Sequence, residues 1–141
     1  MRTAAATAGM LSAAVLLSPG CEQSAAPKQA STDEPVRRAS FRTLAARDFL
    51  ASCPGGATRA ETAREVTRLE ELKALAARKG AGTAIALGEN DWAGVSRYST
   101  RERCQPGEQA YGEALAAFGG TLDVLAGRIA EFPAQPSGNA P

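Results

Sequence analysis

The segment YGEALAAFGGTLDVLAGRIAEF, residues 111–132, decides the fold. Its large apolar side chains, Tyr111, Leu115, Phe118, Leu122, Leu125, Ile129 and Phe132, follow one another at steps of 4-3-4-3-4-3. That is the spacing of one apolar stripe on a long α-helix. Pro106 suits the first turn of such a helix and Pro133 stops it. Gly112, Gly119 and Ala126 sit just after every second stripe residue, which predicts close approach of a neighbouring helix along that edge. Mid-helix glycine costs roughly 1 kcal/mol against alanine, so a packing reason is expected. Ala116, Ala117, Val124 and Ala130 carry apolar character round the helix, which predicts cover from several neighbours. The stripe could instead pair with another chain, but other helices of the chain need an apolar surface to cover, which favours an internal core.

Upstream, the pattern supplies those helices. Thr58 and Glu61 have capping-box spacing, predicting a helix from there to about Lys79, where Gly80 and Gly82 interrupt it. Val66, Leu69, Leu72 and Leu75 or Ala76 form its stripe, with Glu65–Arg68 and Glu70–Lys73 as i,i+3 pairs on the wet side. A shorter amphipathic helix is predicted over 41–52, with Ser40 as N-cap, Phe41, Leu44, Ala45, Asp48 and Phe49 on one face, and Pro54-Gly55-Gly56 as its end. Between 80 and 104 the pattern is weaker: Thr83 to Leu87 is a short apolar piece, and Asn90 or Asp91 would cap a brief helix carrying Trp92 and Val95. The expected fold is mainly α, a small bundle of three to four helices.

A chain of 141 residues holds one domain, and with 44% hydrophobic but only 5% aromatic residues its core is alanine-rich and marginal. Residues 41–132 balance twelve Lys and Arg against twelve Asp and Glu, so nucleic acid is not an expected partner. The absence of histidine excludes a Ser-His-Asp or Cys-His catalytic pair, a histidine metal site and an imidazole pH switch.

Residues 1–20 carry Arg2, an uncharged apolar run from Ala4 to Leu17, and small residues before Cys21, the parts of a secretory signal peptide. The run is shorter than the roughly 20 residues a membrane-spanning helix needs. Leu17, Ser18, Gly20 and Cys21 resemble the box of bacterial lipoprotein signal peptides. That resemblance implies acylation of the Cys21 sulfur, cleavage just before it, and a membrane anchor facing the periplasm. Ordinary signal-peptidase cleavage at the same bond is the alternative, since Ser18 and Gly20 are both small. Residues 21–40, rich in Pro, Ser, Gln, Ala and Thr, read as a disordered tether of about 25 Å, and 133–141 as a disordered tail. The helical domain is thus expected over 41–132. With Cys21 consumed, the other two of the three cysteines, Cys53 and Cys104, are left to bridge each other in an oxidising compartment. Such a bridge would set the helices beginning near 59 and 106 parallel, starting from one end of the domain.

The candidate ligand surface combines Trp92, Arg97, Tyr98, Arg101 and Arg103, because arginines beside aromatic rings suit carboxylate, phosphate or sugar ligands. The competing reading puts Trp92 and Tyr98 in the core and pairs the arginines with Glu89, Asp91 and Glu102. Glu89, Asn90 and Asp91 lack the twelve-residue spread of a calcium loop, so no metal is expected. Glu108, Glu113 and Asp123 keep a carboxylate hydrolase as a distant alternative. The sequence thus predicts a non-enzymatic cell-envelope lipoprotein without cofactor, a binding or structural module held to the membrane at Cys21. An envelope protein or anionic polymer is its expected partner, and a soluble periplasmic or secreted protein is the alternative.

Overall fold

The computed structural model of the chain describes residues 27–98 and 102–133. The leader, Cys21 and residues 134–141 therefore lie outside the described residues. Among the described residues four α-helices carry the fold: α1 Pro27–Ser52, α2 Ala60–Arg78, α3 Gly82–Ser96 and α4 Glu108–Glu131, with a 3-10 turn at Gly56–Thr58. There is no strand among the described residues. The expected small helical bundle is the fold observed.

α4 is its axis. Tyr111, Phe118, Leu122, Leu125 and Ile129 are buried along it, and Phe132 closes the stripe at its end. Ala114 is buried where Leu115 was expected, and Leu115 is only partly covered. The helix starts at Glu108 behind Gly107, whose φ of 116° suits glycine, so Pro106 precedes the first turn rather than occupying it. α1 lies antiparallel to α4, with the Thr43 hydroxyl 3.4 Å from the Thr121 carbonyl oxygen. α2 runs parallel to α4: Thr62 meets Tyr111 near the starts of both helices, and the Lys79 ammonium donates to the Ala130 carbonyl near their ends. Round the bundle each of α1 and α2 packs against both α3 and α4.

The Cys53–Cys104 disulfide closes this arrangement, joining residues 51 apart in sequence with both cysteines buried. It anchors the starts of α2 and α4 to one end of the molecule, as the parallel reading requires. A loop of that length constrains the unfolded chain by about 4 kcal/mol.

Several expectations need correction. α1 is more than twice the predicted length: residues 27–40, expected to lie in a tether, belong to the helix, and Ser40 sits inside it rather than at its cap. Val36, Ala39 and Ser40 are buried, so the domain begins well before 41. Small side chains make this possible, since Ser40 packs where α3 offers Gly88 instead of a Cβ. The Ser40 hydroxyl donates to the Ile85 carbonyl at 3.0 Å across the same crossing. Phe49, expected on the packed face, is 37% exposed, and Leu50 is buried in its place.

The capping box of α2 does not form. Arg59 is the N-cap, and the Thr58 hydroxyl bonds the Gly55 carbonyl at 3.2 Å within the preceding turn. The predicted end holds: Gly80 takes φ 83° and the Ala81 amide reaches the Ala76 carbonyl at 2.8 Å, a Schellman stop. The apolar piece at 83–87 and the brief helix at Trp92 are one continuous α3, so Asn90 and Asp91 lie mid-helix and cap nothing.

Gly112 and Gly119 are not the close contacts expected on α4. A methyl carbon on Gly112 would meet nothing within 4 Å, and one on Gly119 only the Glu65 carboxylate at 3.9 Å. Val124 is likewise uncovered, at 49% exposed.

Candidate functional site

The expected ligand surface is divided by the fold. Trp92 is held in the tertiary structure: its indole N–H donates to Asp48 Oδ2 at 2.7 Å, and its ring meets Phe41 edge-on at 5.5 Å between centroids. Tyr98 does not share that packing. It lies beyond the last turn of α3, 89% exposed, with Arg97 exposed beside it and Val95 47% exposed one turn back. Core placement therefore describes Trp92 in part and Tyr98 not at all. Arg101 lies outside the described residues. Arg103 is exposed on the segment leading to Cys104, where it lines a hollow beside the disulfide with Phe49, Glu102, Glu113 and Ala117.

The expected arginine partners are engaged elsewhere. Asp91 holds Arg37 of α1 through two hydrogen bonds of 2.6 and 2.9 Å, and Glu89 pairs with Lys73 of α2 at 3.0 Å. The Arg37 guanidinium holds the Asp91 carboxyl below its usual range, and Asp91 in turn raises Arg37. These contacts fasten α3 to both of its neighbours.

Each hydrolase candidate is also tied. Arg59 chelates Glu108 with one nitrogen 2.8 and 2.9 Å from its two oxygens, and Arg59 also stacks 3.9 Å from the centre of the Tyr111 ring. Arg68 bonds Asp123 and pairs with Glu65, while the Gln109 amide donates to Glu113 at 3.1 Å. Hydrogen bonding to Glu108 raises the Arg59 pKa, and bonding to Asp123 raises that of Arg68. Glu61 is lowered by its own backbone amide at the start of α2. These carboxylates serve as interhelical or intrahelical clamps rather than converging on a cleft. Among the described residues no three metal-binding side chains gather, and no helix is long and apolar enough to cross a membrane.

What the sequence did not disclose is the outer face of the α1/α4 pair. A hollow of about 380 Å³ lies at one end, between Pro35, Arg38, Ala39 and Arg42 of α1 and Val124 and Arg128 of α4. The hollow beside the disulfide, of similar size, lies at the other end of the same pair. The signal was present in the second α4 stripe, Ala117, Val124 and Arg128, but its apolar members read as covered surface. Compared with protein-family models, curated proteins and solved structures, the chain matches none.

Proposed function

We propose that this protein is an exported helical module of a cell envelope, anchored by acylation of Cys21, that binds or braces a partner without catalysing a reaction. The observation that carries this reading is the Cys53–Cys104 bridge. A buried disulfide in a small domain belongs to an oxidising compartment, and it leaves Cys21 as the one cysteine without a partner in the chain. The leader ahead of Cys21, with its lipoprotein-like box, gives that odd cysteine a use. Since α1 starts six residues after Cys21, an acyl chain there would leave at most about 20 Å of chain between bilayer and bundle. The domain would stand close to the headgroups, not on a long tether.

The exposed Arg97 at the end of α3, beside the exposed Tyr98, suits an anionic envelope polymer or an acidic protein surface. The soluble alternative is favoured by one feature, the small pair Ser18 and Gly20 before the same bond. Fractionation of cells making the wild type and Cys21→Ser tests the anchor. The wild type should sediment with membranes and the variant should appear in the soluble envelope fraction; an unchanged distribution rejects acylation as the attachment.

A further inference from the structure

We infer that the outer face of the α1/α4 pair is the contact surface of a two-fold dimer of this chain. The inference does not depend on acylation or on the envelope reading. The two hollows are the ends of one groove, because α1 and α4 are antiparallel: Arg38 and Arg42 face Val124 and Arg128 at one end, and Phe49 faces Ala117 and Glu113 at the other. Between the hollows the outer side of α4 carries the exposed Gly120, where a methyl carbon would meet nothing within 4 Å.

The groove's two ends carry complementary charge. One end carries Arg38, Arg42 and Arg128 against Glu34, with Pro35, Ala39 and Val124 as an apolar floor. The other carries Glu102 and Glu113 against Arg103, with Phe49 standing 37% exposed. A second copy turned by a two-fold axis through Gly120 brings each end onto its opposite. Phe49 of one copy then enters the Pro35/Val124 hollow of the other, and Arg128, paired at 3.0 Å with Glu131 of its own copy, falls opposite Glu113. The register agrees with this, since Glu113 and Arg128 lie seven and eight residues on either side of Gly120, two helical turns each way. An isologous contact requires such self-complementarity.

The glycines of α4 supply a further argument. Gly112, Gly120 and Gly127 are interior to the helix, and a methyl carbon on any of them meets nothing within 4 Å. Each costs the isolated helix about 1 kcal/mol, and no contact among the described residues requires the missing side chain. Close approach of α4 to α4 of a second copy does require it at Gly120, where the two backbones cross.

Sedimentation of the disulfide-intact protein across a wide concentration range, alongside Gly120→Glu, tests the proposal. The wild type should move from its monomer mass, 14.5 kDa for all 141 residues and less once the leader is removed, toward twice that value. Gly120→Glu, which sets like charges face to face on the axis, should stay monomeric with an unchanged helical spectrum. The single reversals Glu113→Arg and Arg128→Glu should each weaken dimerisation roughly tenfold, and the double reversal should recover most of it. A wild type that stays monomeric at every concentration overturns the proposal. So does a dimer indifferent to Gly120→Glu, which would place the contact on another face. If Gly120→Glu loses its helical spectrum, the charge reversals decide alone, and failure of the double variant to recover overturns the register.

Discussion

Replacing Gly88 by alanine should destabilise the domain, while the same substitution six residues later, at Gly94 of the same helix, should stabilise it. Both changes gain about 1 kcal/mol of helix propensity. At Gly94 a methyl carbon meets nothing within 4 Å, so that gain stands alone. At Gly88 the new carbon would sit 2.7 Å from Ser40 Cβ and 2.9 Å from Ser40 Oγ, and against the Arg37 carbonyl oxygen. These are atoms of the α1 backbone and of a buried serine, so α1 and α3 must separate rather than a side chain swing aside. Overpacking of this kind costs about 1–3 kcal/mol. Separation also stretches the Ser40–Ile85 bond, 3.0 Å long and worth about 1 kcal/mol. Net of propensity, Gly88→Ala should lose about 1–3 kcal/mol, a fall of very roughly 4–20 °C in a domain of this size. Urea melts of the two variants beside wild type supply the measurement. Gly88→Ala equal to or above wild type would refute the α1/α3 crossing and, with it, the assignment of Ser40 to the packed domain.

Three further outcomes follow from particular contacts. Cys104→Ser, or reduction of the wild type, should remove about 4 kcal/mol and shift the thermal midpoint sharply downward; equal melts with and without reductant would contradict the bridge. Tyr111→Phe should cost about 1–3 kcal/mol by stranding the buried Thr62 hydroxyl that lies 2.9 Å from the Tyr111 oxygen, and adding Thr62→Val should recover much of the loss; denaturant melts of the three variants read the coupling. The Arg37 guanidinium holds Asp91 below the ordinary aspartate value of 3.8 when folded, so the pairing contributes fully above that value and is lost as pH falls through the lower folded one. Acid melts of wild type should therefore lose more stability below pH 4 than those of Asp91→Asn, and superimposable acid limbs would count against the pair.

What the sequence made legible was whatever rests on large apolar periodicity or on cysteine arithmetic. The α4 stripe, the α2 stripe with its glycine stop and the Cys53–Cys104 pair all have that character. α1 was half hidden because its first buried contacts use Val36, Ala39 and Ser40, and because Pro35 interrupts the backbone bonding pattern of a helix. Small residues signal burial only when the partner is known, and here the partner is Gly88, more than forty residues away. The same reasoning explains the ends of α2 and α3. Thr58 and Asn90 have capping chemistry, but a turn tied to the disulfide and the continuous packing of α3 on α1 override those local preferences.

The candidate surface was less legible than the fold. Trp92 and Tyr98 are six residues apart in sequence yet differ completely in exposure, because α3 ends between them. The α1/α4 groove depends on which side of α4 is left uncovered, which periodicity cannot decide once both sides carry small apolar residues. Val124 acquires meaning only beside Arg42 of another helix, and Ala117 only beside Phe49.

In the proposed attachment Cys21 stands apart from the Cys53–Cys104 pair. The intact mass of the protein purified from the cells that make it, measured with and without thiol alkylation, separates acylation from its alternatives. The expected chain begins at Cys21, is heavier than its residues by the acyl groups and carries no alkylatable thiol before reduction. An uncleaved chain, or one whose mass matches its bare residues with Cys53 and Cys104 open to alkylation, would contradict it.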